Sequence, residues 1–242
     1  MYFFFSGEGS TDLGTCVEEP GPLALIVDQI IKEHRRYSFL ESGCAVFVHP
    51  AELERIKSQL RTVPRSPGLR GLKTPPENRL HRKDAAALAY TATNHIRTKT
   101  DKEFVAVLFR DSNSPDEREW NNKRKSMLNG FRDQSIEGHG VAAVARPVSE
   151  AWWLSAIYRS ENKAKDCRFL ETTNYGDGAE HALKIELEDK LGEVANRTVL
   201  NEKVTRQEID YKLIDSDSFL AFRQDFETAV GLDHLHYMKT TS

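Results

Sequence analysis

What the sequence has little of narrows its class first. Its 242 residues include three cysteines, Cys16, Cys44 and Cys167. They are scattered, odd in number and without a CxxC or Cys/His spacing, so neither a disulfide framework nor a structural zinc site is indicated. A reducing cytoplasm is the expected compartment. Long hydrophobic runs are also missing: the apolar opening Met-Tyr-Phe-Phe-Phe has no basic segment ahead of it and is too short for a signal peptide or a membrane span. The phosphate-cradling patterns GxxxxGK(S/T) and GxGxxG do not occur, which excludes ATP binding by those routes. A net charge of −3 offers no global pull on a polyanion, so any nucleic-acid contact must rest on local basic segments. The histidines form no metal pattern, and the pair in His234-Leu235-His236 reads as surface near a tail. No internal repeat is present.

What remains is ordinary globular composition, 39% apolar and 29% charged, in a chain long enough to bury a substantial core. Tyr2 to Ser6 reads as a buried strand. Leu23, Ile26, Val27, Ile30 and Ile31 repeat at helical spacing up to Arg35-Arg36, where cations complement the helix dipole. Cys44 to His49 is a second strand, and Pro50 opens a helix with Leu53, Ile56 and Leu60 on one face. From Arg61 to Lys83, four prolines and two glycines predict a long irregular insertion. An alanine-rich helix from Ala85 to about Arg97 leads to the strand Phe104 to Phe109, which ends at Arg110-Asp111. Pro115 begins a helix running to about Phe131. Val141 to Ala145 is a fourth strand, and Ser149-Glu150 starts a helix through Trp152, Trp153 and Ile157. Ala179 to Leu191 and Ser218 to Val230 read as helices on the rim, with Asp215-Ser216-Asp217 capping the second.

Alternating strands and helices predict an α/β fold, a mostly parallel sheet of Rossmann or Toprim type with helices on both faces. Residues 1–160 form that unit, and 161–242 a helical carboxyl-terminal extension packed on it. Ligands of such sheets bind beyond the carboxyl ends of the strands, and three acids sit there: Glu8, Asp111 and Glu150. Meeting at one edge, they offer the hard oxygen ligands that Mg²⁺ or Mn²⁺ takes, and such carboxylates would repel one another unless a cation neutralised them. Gly7 and Gly9 around Glu8 suit a tight turn and the close approach of a phosphate. Each acid alone has a plainer account. GEGSTD can be a turn with Ser10, Thr11 or Asp12 capping, Asp111 can cap the next helix, and Glu150 can be a first-turn acid favoured by the dipole.

The segments FFFSGEGSTD, VAVLFRDSN and ARPVSEAWWL resemble the three acidic pieces of Toprim domains, in particular the nucleases of the overcoming-lysogenization-defect type and related proteins encoded beside ATPases. The resemblance covers strand ends within residues 1–160. It implies a metal-dependent nuclease hydrolysing DNA or RNA, with Glu8, Asp111 and Glu150 catalytic and Glu8, Asp111, Asn113 and Glu150 holding Mg²⁺ or Mn²⁺. It also implies an AAA- or ABC-type ATPase as controlling partner, a role in antiviral defence, and room for a homo-oligomer. Where the family has a second aspartate this chain has Asn113, so one metal position is weakened or Asp116 substitutes for it. Two other readings stand beside the nuclease: a degenerate Toprim-like binding subunit of an ATPase complex, and a small-molecule phosphohydrolase or nucleotidyl transferase.

In the insertion, Arg65, Arg70, Lys73, Arg79, Arg82 and Lys83 are candidates for nucleic-acid contact, because guanidinium groups bind phosphate bidentately. Lys123-Arg124-Lys125 reads as an exposed helix face with Trp120 turned to the core. Of the adjacent Trp152 and Trp153, one is expected inside and one free to meet a partner.

Overall fold

The computed structural model describes residues 1–9, 11–60, 76–101, 103–136, 138–173 and 179–232, with the side chains of residues 76–78 and 179–181 left aside. Four strands form one parallel sheet: β1 (Tyr2–Ser6), β2 (Ala45–Phe47), β3 (Phe104–Asp111) and β4 (Gly140–Ala145), in the order β2-β1-β3-β4. Phe3 stands opposite Ala45 on one side, Tyr2 opposite Phe104 on the other, and Asp111 opposite Ala145 at the far end of β3. The expected α/β architecture is the observed one.

Side chains alternate across the strands and divide the core in two. Phe3, Phe5, Val105, Val107, Phe109, Val141 and Ala143 face α1 (Pro22–Arg35). Phe4, Ala106, Leu108, Ala142 and Val144 face α2 (Pro50–Leu60), α3 (Pro76–Ile96) and α4 (Glu117–Asp133). The α1 face also takes α5 (Glu150–Glu161), the short α6 (Phe169–Thr172), α7 (Ala179–Leu191), α8 (Arg197–Thr205) and α9 (Asp217–Ala229). Among the described residues no helix is long and apolar enough to cross a membrane.

Three expectations change. The helix expected from Ala85 begins at Pro76, because proline suits the first helical turn, where its missing N–H would have no partner. Residues 76–83 of the predicted insertion are therefore helical. Both Trp152 and Trp153 are buried. Trp152 packs edge-on against Phe109 and Phe219 and donates from its indole to Ser218 Oγ at 2.7 Å. The helix placed on the rim, α9, presents Phe219, Phe222 and Phe226 at spacings of three and four, all buried in the sheet's own core. It packs against β4 and sets Phe219 and Phe222 against Trp152, while Trp153 lies toward Asp12. Ser216, within the expected acidic cap, accepts from Phe219 N.

Candidate functional site at the carboxyl edge

Strand order fixes where a site can form. The chain leaves β1 toward β2 over the α1 face, whereas it leaves β3 toward β4 over the opposite face, so the connections part between β1 and β3. That parting opens a crevice beyond the carboxyl ends of the two strands. Glu8 follows β1 and Asp111 closes β3.

Asp111 is the centre of charge there. Burial first, and then the carboxylates of Asp12, Glu150 and Glu8, hold its carboxyl well above the usual range, against a single opposing bond from Ser149 N at 3.0 Å. Asp12 is a fourth acid that sequence reasoning had offered only as a cap. Burial pushes its pKa up to about 6, while the Ser149 hydroxyl and the Trp153 indole draw it back. Trp153 Nε1 approaches Asp12 without closing a well-formed hydrogen bond and is buried with no other partner. The signal for Asp12 lay in the sequence: a second acid four residues after Glu8 within one loop.

The loop that carries Asp12 depends on glycines other than those expected. Gly7 and Gly9 are not left-handed, and a Cβ on Gly9 would meet nothing nearer than 3.9 Å. Gly14 has φ 88°, and a Cβ on Gly21 would stand 2.4 Å from Asp12 O. Gly21→Ala should therefore displace the Asp12 backbone and lower stability by roughly 1–3 kcal/mol in urea denaturation. Gly9→Ala should change it little, and equal losses in the two variants would contradict this assignment. Beside Glu8 a cavity of about 180 Å³ lies between Gly7–Gly9, Gly14–Thr15 and His49–Pro50.

The other candidates are distributed as follows. Glu150 opens α5 and adds its charge to Asp111. Asn113 is exposed in the left-handed region at φ 57°, which Asn and Asp tolerate better than other side-chain-bearing residues. Its N–H donates to Pro147 O. Asp116 caps α4, accepting from Arg118 N at 2.7 Å, and so is committed to the helix. Arg65, Arg70 and Lys73 lie outside the described residues, as do His234 and His236. Arg79 is exposed and Lys83 half-buried. Arg82 is held bidentately at 2.6 Å by Asp133, at the end of α4 remote from the acids. Lys123, expected on an exposed face, is buried and donates to Asp111 O at 2.8 Å and Ser112 O at 3.2 Å. Arg124 pairs with Asp225. Trp120 is in the core as expected, its indole donating to Val144 O.

Beneath Glu8, on the α2–α4 face, lies a layer of buried charge. Arg110, adjacent to Asp111 and therefore on the opposite face of β3, binds Asp84 at 2.8 Å and approaches Glu8 at 3.4 Å. Lys57 binds the other Asp84 oxygen at 2.6 Å. His81, one turn before Asp84, is held neutral by burial and then by the charges of Lys123 and Arg110, its pKa pushed down to about 4.

Among the described residues no three His, Cys, Asp or Glu side chains stand gathered so as to hold a metal ion. The donor chemistry nevertheless fits a hard divalent cation, since Glu8, Asp12, Asp111 and Glu150 all offer carboxylate oxygens. Glu8 approaches Arg110. Fold and edge together define an α/β protein with acidic residues from three segments along the edge at its topological switch point. Comparison with models of known families, with curated proteins and with solved structures finds no match.

Proposed function

We propose that the chain is a Mg²⁺- or Mn²⁺-dependent phosphodiesterase that hydrolyses DNA or RNA at this edge. The observation that carries the reading is the crowding of charge on Asp111 by Asp12, Glu150 and Glu8, three acids brought in from two other parts of the chain. Asp111, with Glu8, Asp12 and Glu150, would hold the ion. A divalent ion bound there supplies Lewis-acid activation of water and neutralises charge on the phosphate. The protein's own part is to hold the carboxylates. Ser149 N fixes Asp111 Oδ1, and Lys123 ties down the main chain of the turn through two carbonyls. An ATPase partner and a role in antiviral defence rest on the Toprim resemblance, and an unregulated nuclease would need such control.

The test is incubation of the pure chain with plasmid DNA and with total RNA in the presence of Mn²⁺. Cleavage of one of them, stopped by chelation, is the expected result. Failure to cut either would favour a second reading, a binding subunit with lost chemistry, for which Asn113 at the family's second aspartate position is the specific observation.

A further inference from the structure

Arg110 is bound unequally at its two ends. Its Nη2 meets Asp84 Oδ2 at 2.8 Å, both side chains being only 6% exposed, and its Nη1 donates to Phe109 O at 2.7 Å. Together these fix the plane of the guanidinium, whose fork is rigid. Its Nε lies 3.4 Å from Glu8 Oε1, beyond the length of a good charge-assisted bond, and the Glu8 side chain is 45% exposed. One end is anchored and the other is exchangeable. Lys57, on α2, holds the second Asp84 oxygen, so Asp84 is itself kept in place between two cations.

The exchangeable end faces the acid that must turn toward Asp111 for the four carboxylates to act together. We infer that Arg110 is a positioning residue that competes with a divalent cation for the Glu8 carboxylate, and that buried Asp84 limits this competition by drawing the guanidinium away. The inference rests on the metal-site reading above and adds a control to it. While no divalent ion is bound, Arg110 is the resident counter-cation of Glu8. When one arrives, Glu8 exchanges partners, and Arg110 remains neutralised by Asp84 instead of standing unpaired in a buried place, which would be costly.

The two members of one ion pair then act on cation affinity with opposite signs. A purely structural pair would act with the same sign, since loss of either partner would loosen the same packing. Mn²⁺ is titrated calorimetrically into the full chain and its variants at pH 7.5. Arg110→Gln should tighten Mn²⁺ binding about tenfold, the low end of what a neighbouring cation does to a carboxylate's preference. Asp84→Asn should weaken binding several-fold, because the released guanidinium leans harder on Glu8. Both shifts should vanish in a Glu8→Gln background.

Shifts of the same sign in Arg110→Gln and Asp84→Asn, or shifts that persist without the Glu8 carboxylate, overturn the inference and leave the metal site standing. If Arg110→Gln does not fold, the Asp84→Asn/Glu8→Gln cycle decides alone: loss of the Asp84→Asn effect supports the inference and its persistence refutes it. Absence of Mn²⁺ binding by the wild-type chain overturns the metal-site reading, and this inference with it.

Discussion

Asp111→Ala and Glu8→Ala should each abolish Mn²⁺-dependent cleavage of nucleic acid while leaving the fold intact, but for different reasons. Asp111 is the group on which the other three acids converge. Its loss would remove the carboxylate at the middle of the proposed site. Glu8 stands on the rim of the crevice, exposed and near Arg110, so its loss would remove one of the carboxylates proposed to hold the ion and leave Arg110 without that neighbour. Each variant should fall by at least the ~10²–10³-fold that removal of one preorganised charge-stabilising group costs. Asp116→Ala, by contrast, removes a helix cap. It should cost roughly 0.5–2 kcal/mol of stability with little loss of cleavage per folded molecule. The measurement is initial rate at saturating Mn²⁺, with denaturation midpoints to normalise for folding. Undiminished cleavage by Asp111→Ala would sink the proposed function, and a collapse of activity in Asp116→Ala would return that acid to the site.

The strand ends were legible in the sequence because a buried parallel strand is a continuous apolar run, and its end is marked by the first charged residues. That is how Glu8 and Asp111 could be placed at one edge before any topology was known. Asp12 was not legible in the same way. It lies in a loop with no period, and only the path enforced by Gly14 and Gly21 brings it to Asp111. Arg110 was hidden by its neighbour: alternation along β3 sends it to the other face, where its partners Asp84 and Glu8 come from distant segments. Pro75 and Pro76 hide the start of α3 in the sequence, because a proline in the first turn is as much a beginning as an end. The burial of both tryptophans is not legible because their neighbours come from distant segments, Phe219 and Phe222 of α9 for Trp152 and the Asp12 loop for Trp153.

A divalent cation should stabilise the protein strongly at neutral pH and weakly in acid. Asp12 is raised from 3.8 to about 6 and Asp111 well above its ordinary value, so between roughly pH 4 and 6 and above, the folded protein holds protons that the unfolded chain has released. The stability these groups contribute is fully present below the unfolded pKa and is lost as pH rises through the folded one. At pH 7.5 Asp12 has lost the proton it holds below about 6, and a metal ion would relieve the charge this adds beside Asp111. At pH 5 protons already do so and must be displaced before the ion can bind. With Mn²⁺ at about 100 times its Kd the gain is about 2.7 kcal/mol, which for a chain of this size is a rise in Tm of about 5–10 °C. His81 acts with the opposite sign, its contribution being present above pH 6.5 and lost as pH falls toward about 4. It does so with and without metal, so it cancels in the difference. In Asp111→Asn the metal-dependent rise should disappear. Thermal unfolding at both pH values, with and without Mn²⁺, checks each point. A rise in Tm that is equal at pH 5 and 7.5, or unchanged in Asp111→Asn, would mean that the ion binds elsewhere on the protein.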